Sequence, residues 1–216
     1  MMDEIYEIDN LVPKLKLSAV LKAMDCDEKS CAYGEIVNEY HEICDKLLKL
    51  AEPVGILGFG TLPMVIETEK YKEGTPVIYA VLSIGDRIMQ CSTKAFQEGD
   101  YVKGMLCDAI ADSILFSLED RMLEKLREVC REHKKGILKR LEAPHDIPME
   151  AQREAWERLE LKKRFGIDIS CGFMLDPVKT SCQVFVLTGD ETVFQAQHDC
   201  RKCPNVHCKF RNIPEI

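Results

Sequence analysis

A chain of 216 residues with 46% hydrophobic side chains can bury one substantial core. Its formal charge of −8, from 29 basic against 37 acidic residues, argues against nucleic acid or an anionic membrane surface as a partner. Asp3, Glu4, Glu7 and Asp9 stand where a secretion signal would place bases before an apolar run, and no apolar stretch approaches bilayer length, so the expected setting is a reducing cytoplasm.

Residues 14–24 and 30–50 read as helices, because Leu15, Leu17, Val20 and Leu21, then Ile36, Tyr40, Ile43, Leu47 and Leu48, recur at helical spacing. Pro53 and the glycines Gly55, Gly58 and Gly60 stop that pattern. With no following Lys-Ser/Thr and no dinucleotide-type helix, these glycines read as a turn rather than a phosphate cradle. Met64–Glu67 and Val77–Ile84 are short β-branched runs suited to a strand pair, joined by a polar turn over Lys70–Gly74.

Gly85-Asp86 opens a helix to about Gln97, and Gly99-Asp100 opens a longer one. In the longer one Met105, Ala109, Ile110, Ile114, Ser117, Leu118, Met122, Leu126 and Val129 form the expected buried stripe, with Asp108, Asp112, Glu119 and Glu124 elsewhere around the axis. Small residues at Ala109, Ala111, Ser113 and Ser117 suit a central helix approached closely by its neighbours. Pro144–Pro148 separates it from a charged helix, Glu150–Lys163, anchored by Trp156. Ile167, Ile169 and Cys182–Leu187 are candidate late strands, followed by a cysteine-rich tail. Helices, strands, long helices and strands again predict an α+β fold rather than a regular parallel βαβ alternation.

Val77-Ile-Tyr-Ala-Val-Leu-Ser-Ile-Gly85 leads to a helix ending in Phe96-Gln-Glu-Gly-Asp-Tyr-Val-Lys103, and then to Met105-Leu-Cys-Asp-Ala-Ile-Ala-Asp112. Further on comes Gly166-Ile-Asp-Ile-Ser-Cys-Gly-Phe173. Together these resemble the reactivation domain of vitamin B12-dependent methionine synthase. That family has a strand, a small-residue turn, a helix, an acidic-Tyr motif and an Ala-x-Ala-Asp helix in the same order, and later a Gly-Ile-Arg-Pro-x-x-Gly-Tyr loop that holds S-adenosylmethionine. The resemblance spans about residues 54–190. It implies a stand-alone, activation-domain-like α+β core with a mixed or antiparallel sheet and long packing helices. Residues 1–53 would be a helical segment of the same domain, and 191–216 a separate cysteine-rich tail.

The resemblance further implies a partner, a corrinoid-binding methyltransferase, whose oxidised cobalamin is returned to its methylated form by reductive methylation or electron transfer, with a separate electron donor. The ligand positions it implies are Tyr101, Asp168, Ser170, Cys171, Gly172 and Phe173. No catalytic residue is assigned. The chain departs from the family at three polar contacts. Asp168 puts an anion where the loop has arginine, Phe173 lacks the tyrosine hydroxyl, and Phe116 stands at an acidic ligand contact on the central helix. An anion left unpaired beside the ligand's carboxylate would be costly, so altered S-adenosylmethionine binding is expected. The backbone of Ser170, Cys171 and Gly172 would still line a cleft, glycine allowing close approach and a φ denied to other residues.

His198-Asp-Cys200-Arg-Lys-Cys203-Pro-Asn-Val-His-Cys208 sets three thiols at C-x2-C-x4-C spacing, similar to tails on stand-alone relatives from anaerobes. Two residues between cysteines let both sulfurs turn to one ion, and thiolates favour zinc or an iron-sulfur cluster. Cys182, Cys171, His198 or His207 would supply the fourth ligand; free thiols are the alternative. Arg201, Lys202, Lys209 and Arg211 would offset thiolate charge or attract an acidic electron-transfer partner. His41 and His133 read as surface histidines, and Cys26, Cys31, Cys44, Cys91, Cys107 and Cys130 chiefly as packing residues. The competing functional reading is a non-catalytic, metal-stabilised binding module that has lost S-adenosylmethionine.

Overall fold

In the computed structural model, which describes residues 4–63 and 71–211, the apolar run from Val77 is the central strand of a five-stranded antiparallel sheet. The strands are β1 (Ile5–Glu7), β2 (Val54–Thr61), β3 (Pro76–Ser83), β4 (Gly136–Leu141) and β7 (Thr180–Thr188), in the spatial order β1-β2-β3-β7-β4. Alternation along each strand deals its side chains to two cores. Ile78, Ala80, Leu82, Leu57 and Phe185 enter one, whereas Val77, Tyr79, Val81, Ile56, Val184 and Val186 enter the other. Both faces are covered, which is why β3 and β7 read as continuous apolar runs.

The first face carries α1 (Leu17–Ala23), α2 (Tyr33–Leu50), α3 (Arg87–Gln97), α4 (Tyr101–Ser117) and α5 (Glu119–Glu132). Helices α1, α2 and α3 all pack on α4. That crowding buries α4 at Gly104, Leu106, Cys107, Ala109, Ile110, Ala111, Ser113, Ile114 and Leu115. Ala109, Ala111 and Ser113 are buried as expected, Ser117 is half-buried, and Met105, assigned to the buried stripe by periodicity, is exposed. The predicted long helix is divided at Leu118. Asp100 caps α4 by accepting from the Lys103 amide at 3.1 Å, and Glu119 and Asp120 open α5 in its favourable acidic first turn.

The second face carries α6 (Ala151–Arg158), α7 (Leu161–Phe165) and a two-strand hairpin of β5 (Asp168–Ile169) and β6 (Leu175–Asp176). The predicted charged helix is thus two helices, broken where Glu160 adopts a left-handed φ of 50°.

Two strands correct the sequence reading. The glycines taken as a turn lie in β2, where they permit close packing: a Cβ on Gly60 would fall 2.7 Å from Tyr79 Cε2, and one on Gly55 2.9 Å from Ile8 Cδ1. The expected partner strand, Met64–Glu67, lies outside the described residues; β2 and β7 are the neighbours of β3. Strand β4 went unread because its register shifts between Ile137 and Lys139, which spoils the alternation. Among the described residues neither edge of the sheet is long and open. Strand β1 has three residues, and Ile137 of β4 exchanges backbone hydrogen bonds with Val193 and Gln195.

Candidate ligand groove

The 166–176 segment forms a tight hairpin on the α6 side of the sheet. Trp156 of α6 donates its indole N–H to the Ile167 carbonyl at 2.9 Å. The Ser170 amide donates to Met174 O at 2.9 Å, the Met174 amide donates to Ser170 Oγ at 3.1 Å, and the Phe173 amide donates to Ser170 O at 3.0 Å. These bonds bring Ser170, Cys171, Gly172 and Phe173 together in one turn with Asp168 at its base. The left-handed residue is Phe173, at φ 63°, and not Gly172. A Cβ on Gly172 would meet only Ser170 Oγ, at 3.9 Å, so the expected need for glycine there is not seen.

Asp168 is paired. Lys162 Nζ lies 2.6 Å from its Oδ2, and this bond, with the Ile169 amide, holds the carboxyl below the usual carboxylate range. The Arg153 guanidinium lies 4.6 Å from the Phe173 ring centre, a cation over an aromatic face. Tyr101, at the start of α4, is exposed and neighbours Phe96, their ring centres 6.3 Å apart.

Past the hairpin, the chain places Lys179 against α4. Its Nζ lies 2.8 Å from Asp108 Oδ1 and 2.6 Å from Asp112 Oδ1. Burial alone would lower the Lys179 pKa, but the two carboxylates outweigh it and raise it; burial raises that of Asp112 despite the lysine. The same outward stripe of α4 carries Met105 and Phe116, both exposed. A cavity of about 400 Å³ opens here, walled by Phe96, Met105, Asp108 and Asp112, with Lys209 and Phe210 of the tail across it. It offers two carboxylates, one of them desolvated, beside apolar and aromatic surface. Such a surface suits a cation attached to a flat, apolar body.

Lys179 and Phe210 had no functional signal in the sequence. Asp108 and Asp112 were read only as polar positions off the buried stripe, Asp112 also closing the Ala-x-Ala-Asp motif.

The tail crosses a separate cavity of about 750 Å³ whose lining includes Arg140, Glu142, His145, His198 and Cys203. There His198 Nδ1 faces Glu142 Oε2 at 3.3 Å. Among the described residues no group of three or more His, Cys, Asp or Glu is placed to hold a metal ion. Cys203 and Cys208 are half-buried free thiols, and Cys171 is an exposed one. Cys182 packs against the second core, where burial pushes its thiol up to about 12. As folded, the thiols of the cysteine loop are not gathered around one point. Among the described residues no helix is long and apolar enough to cross a membrane.

Taken together, these features define an α+β domain whose antiparallel sheet is covered by helices on both faces. No family model matches the chain, and no curated protein matches it in sequence. Among solved structures it is similar to the crystal structure of the MetH reactivation domain bound to AdoHcy, with a TM-score of 0.59 and 14% identity, covering 85% of this chain and 78% of that one. At that identity the likeness is one of fold, and the fold is the one that the sequence motifs imply.

Proposed function

We propose that this chain serves a cobalamin-carrying methyltransferase as a reactivation protein, holding an S-adenosyl ligand on the outward face of α4. The observation that carries the reading is the fold: a domain like the reactivation domain crystallised with AdoHcy, extending over 85% of the chain. Lys179 adds support, because it ties the segment leaving the 166–176 hairpin to the α4 stripe that bears Phe116, joining the two landmarks of the sequence resemblance. When bound, S-adenosylmethionine supplies an electrophilic methyl group to the partner's corrinoid, after reduction by a separate donor, and leaves as S-adenosylhomocysteine.

The residues of this chain bind and orient. Asp108 and Asp112 favour a positive sulfonium over a neutral thioether, Lys179 keeps the two carboxylates together, and Met105 and Phe116 offer apolar surface to the nucleoside. No step runs through a metal at the tail.

Calorimetric titration with S-adenosylmethionine tests the reading. A dissociation constant on the order of micromolar is expected, with weaker binding of S-adenosylhomocysteine. No binding of either ligand at about a thousandfold higher concentration refutes it. The second reading, a binding module without S-adenosylmethionine, is favoured by the pairing of Asp168 with Lys162 and the stacking of Arg153 on Phe173, which engage two cations beside the hairpin that a ligand carboxylate would otherwise meet. It predicts that the corrinoid partner still binds while both nucleosides fail.

A further inference from the structure

Phe210 lies against Phe116, ring centres 4.6 Å apart and planes inclined at 53°. Lys209 beside it lines the same cavity as Asp108 and Asp112. Among the described residues those two carboxylates are paired with one ammonium, that of Lys179, so this part of the cavity keeps an excess of negative charge that a second cation would offset. The tail therefore brings a lysine and a flat ring to a surface that suits a cation next to a flat ring. We infer that Lys209-Phe210 is a built-in occupant of the groove, which a sulfonium nucleoside must displace in order to bind. The inference rests on the proposed S-adenosyl ligand and assigns the tail a regulatory role over its site.

The attachment is of a kind that opens easily. Beyond β7 the described chain forms no helix or named strand up to Arg211. Besides the ring contact, the end of the tail is held by Lys22 Nζ donating to Arg211 O at 2.8 Å, and by Arg211 Nη1 donating to Cys203 O at 3.2 Å and Asn205 O at 3.0 Å. Surface hydrogen bonds and one aromatic contact belong to the low-stability end of a protein's local openings. The Arg211 bonds also couple the two halves of the tail. The backbone of the cysteine loop is the acceptor that positions the residue after Phe210, so a rearrangement of that loop is transmitted to the ring in the groove.

The test compares the full chain with its Phe210→Ala variant. Calorimetry should show S-adenosylmethionine binding about tenfold more tightly to the variant, as when the binding-competent state is populated at about one part in ten in the parent. In the parent chain, saturating S-adenosylmethionine should also speed tryptic cleavage after Lys209, because the released tail becomes accessible. Equal affinity in both proteins with unchanged cleavage overturns the inference while leaving the proposed ligand in place. Weaker binding to the variant also overturns it, by making Phe210 part of the site rather than its occupant. Failure of both proteins to bind refutes the S-adenosyl reading itself, and the competition with it. Thermal melting of the variant confirms that it is folded, since the half-buried Phe210 lies outside both cores and its loss should leave the cooperative transition in place.

Discussion

Replacing Lys179 by methionine removes the cation from between Asp108 and Asp112 while keeping a side chain of similar length. Its Nζ sits within 2.8 Å of both carboxylates, and its side chain is only 11% exposed. Deleting one member of a buried ion pair costs about 3–5 kcal/mol, because the partner's charge stays buried without compensation. Here the Asp108 and Asp112 side chains are 46% and 30% exposed, so solvent screens part of the loss and about 2–3 kcal/mol is expected at pH 7. The pH dependence gives the sharper check. Burial already raises the Asp112 pKa, and without the lysine that opposes this, its folded pKa rises further above the unfolded value. A group shifted in that direction favours the folded state below its unfolded pKa and loses that contribution as pH rises through the folded one. The deficit of Lys179→Met should therefore shrink as the solution is acidified from neutrality toward the ordinary aspartate range. Adding Asp112→Asn to it should restore part of the stability at pH 7. Urea denaturation across this range measures both effects. A deficit below about 0.5 kcal/mol, or one that does not change with pH, would refute the electrostatic account of the cluster.

Asp168→Arg restores the cation of the family loop. Because the Asp168–Lys162 pair is at the surface, stability should change little, while S-adenosylmethionine affinity rises several-fold by calorimetry. Unchanged affinity would separate the hairpin from the ligand site. Phe185→Ala, in the strand between β3 and β4 and fully buried in the first core, should cost about 3–5 kcal/mol as a lower urea midpoint at unchanged slope. The ion expected from the spacing of Cys200, Cys203 and Cys208 would itself have to draw the thiolates together, since they are not gathered in this fold. Anaerobically purified protein should then carry zinc or iron by elemental analysis and lose it on Cys203→Ser; metal-free protein under those conditions removes the proposal.

What could be read from the sequence follows from where the physics is local. Helices α2 and α3 are amphipathic with one buried side, so Ile36, Tyr40, Ile43 and Leu47 announce their element by spacing alone. The α4 stripe was read less well. With three helices packed on it, burial runs almost round its axis, and two of its three exposed positions, Met105 and Phe116, are as apolar as the buried ones, the third being Tyr101. In β2 the glycines answer to side chains from other elements, Tyr79 and Ile8 among them, and nothing adjacent in the chain reports that. The same limit applies to the site. Ser170 to Phe173 form one turn and were seen as one motif. Asp112 and Lys179 meet across 67 residues, so their pairing is a property of the fold and not of either motif.

The ends of the sheet bear on the company this protein is proposed to keep. A domain that presses repeatedly against a cofactor held by another protein passes through encounters in which an unsatisfied row of backbone amides would capture the wrong surface. Strand β1 is too short to template an added strand, and β4 is kinked by its register shift and already bonded through Ile137 to the chain beyond β7. Association by strand addition is thereby discouraged, so contact with a partner falls to side chains on the helical faces, where it can be made and released without rebuilding a sheet.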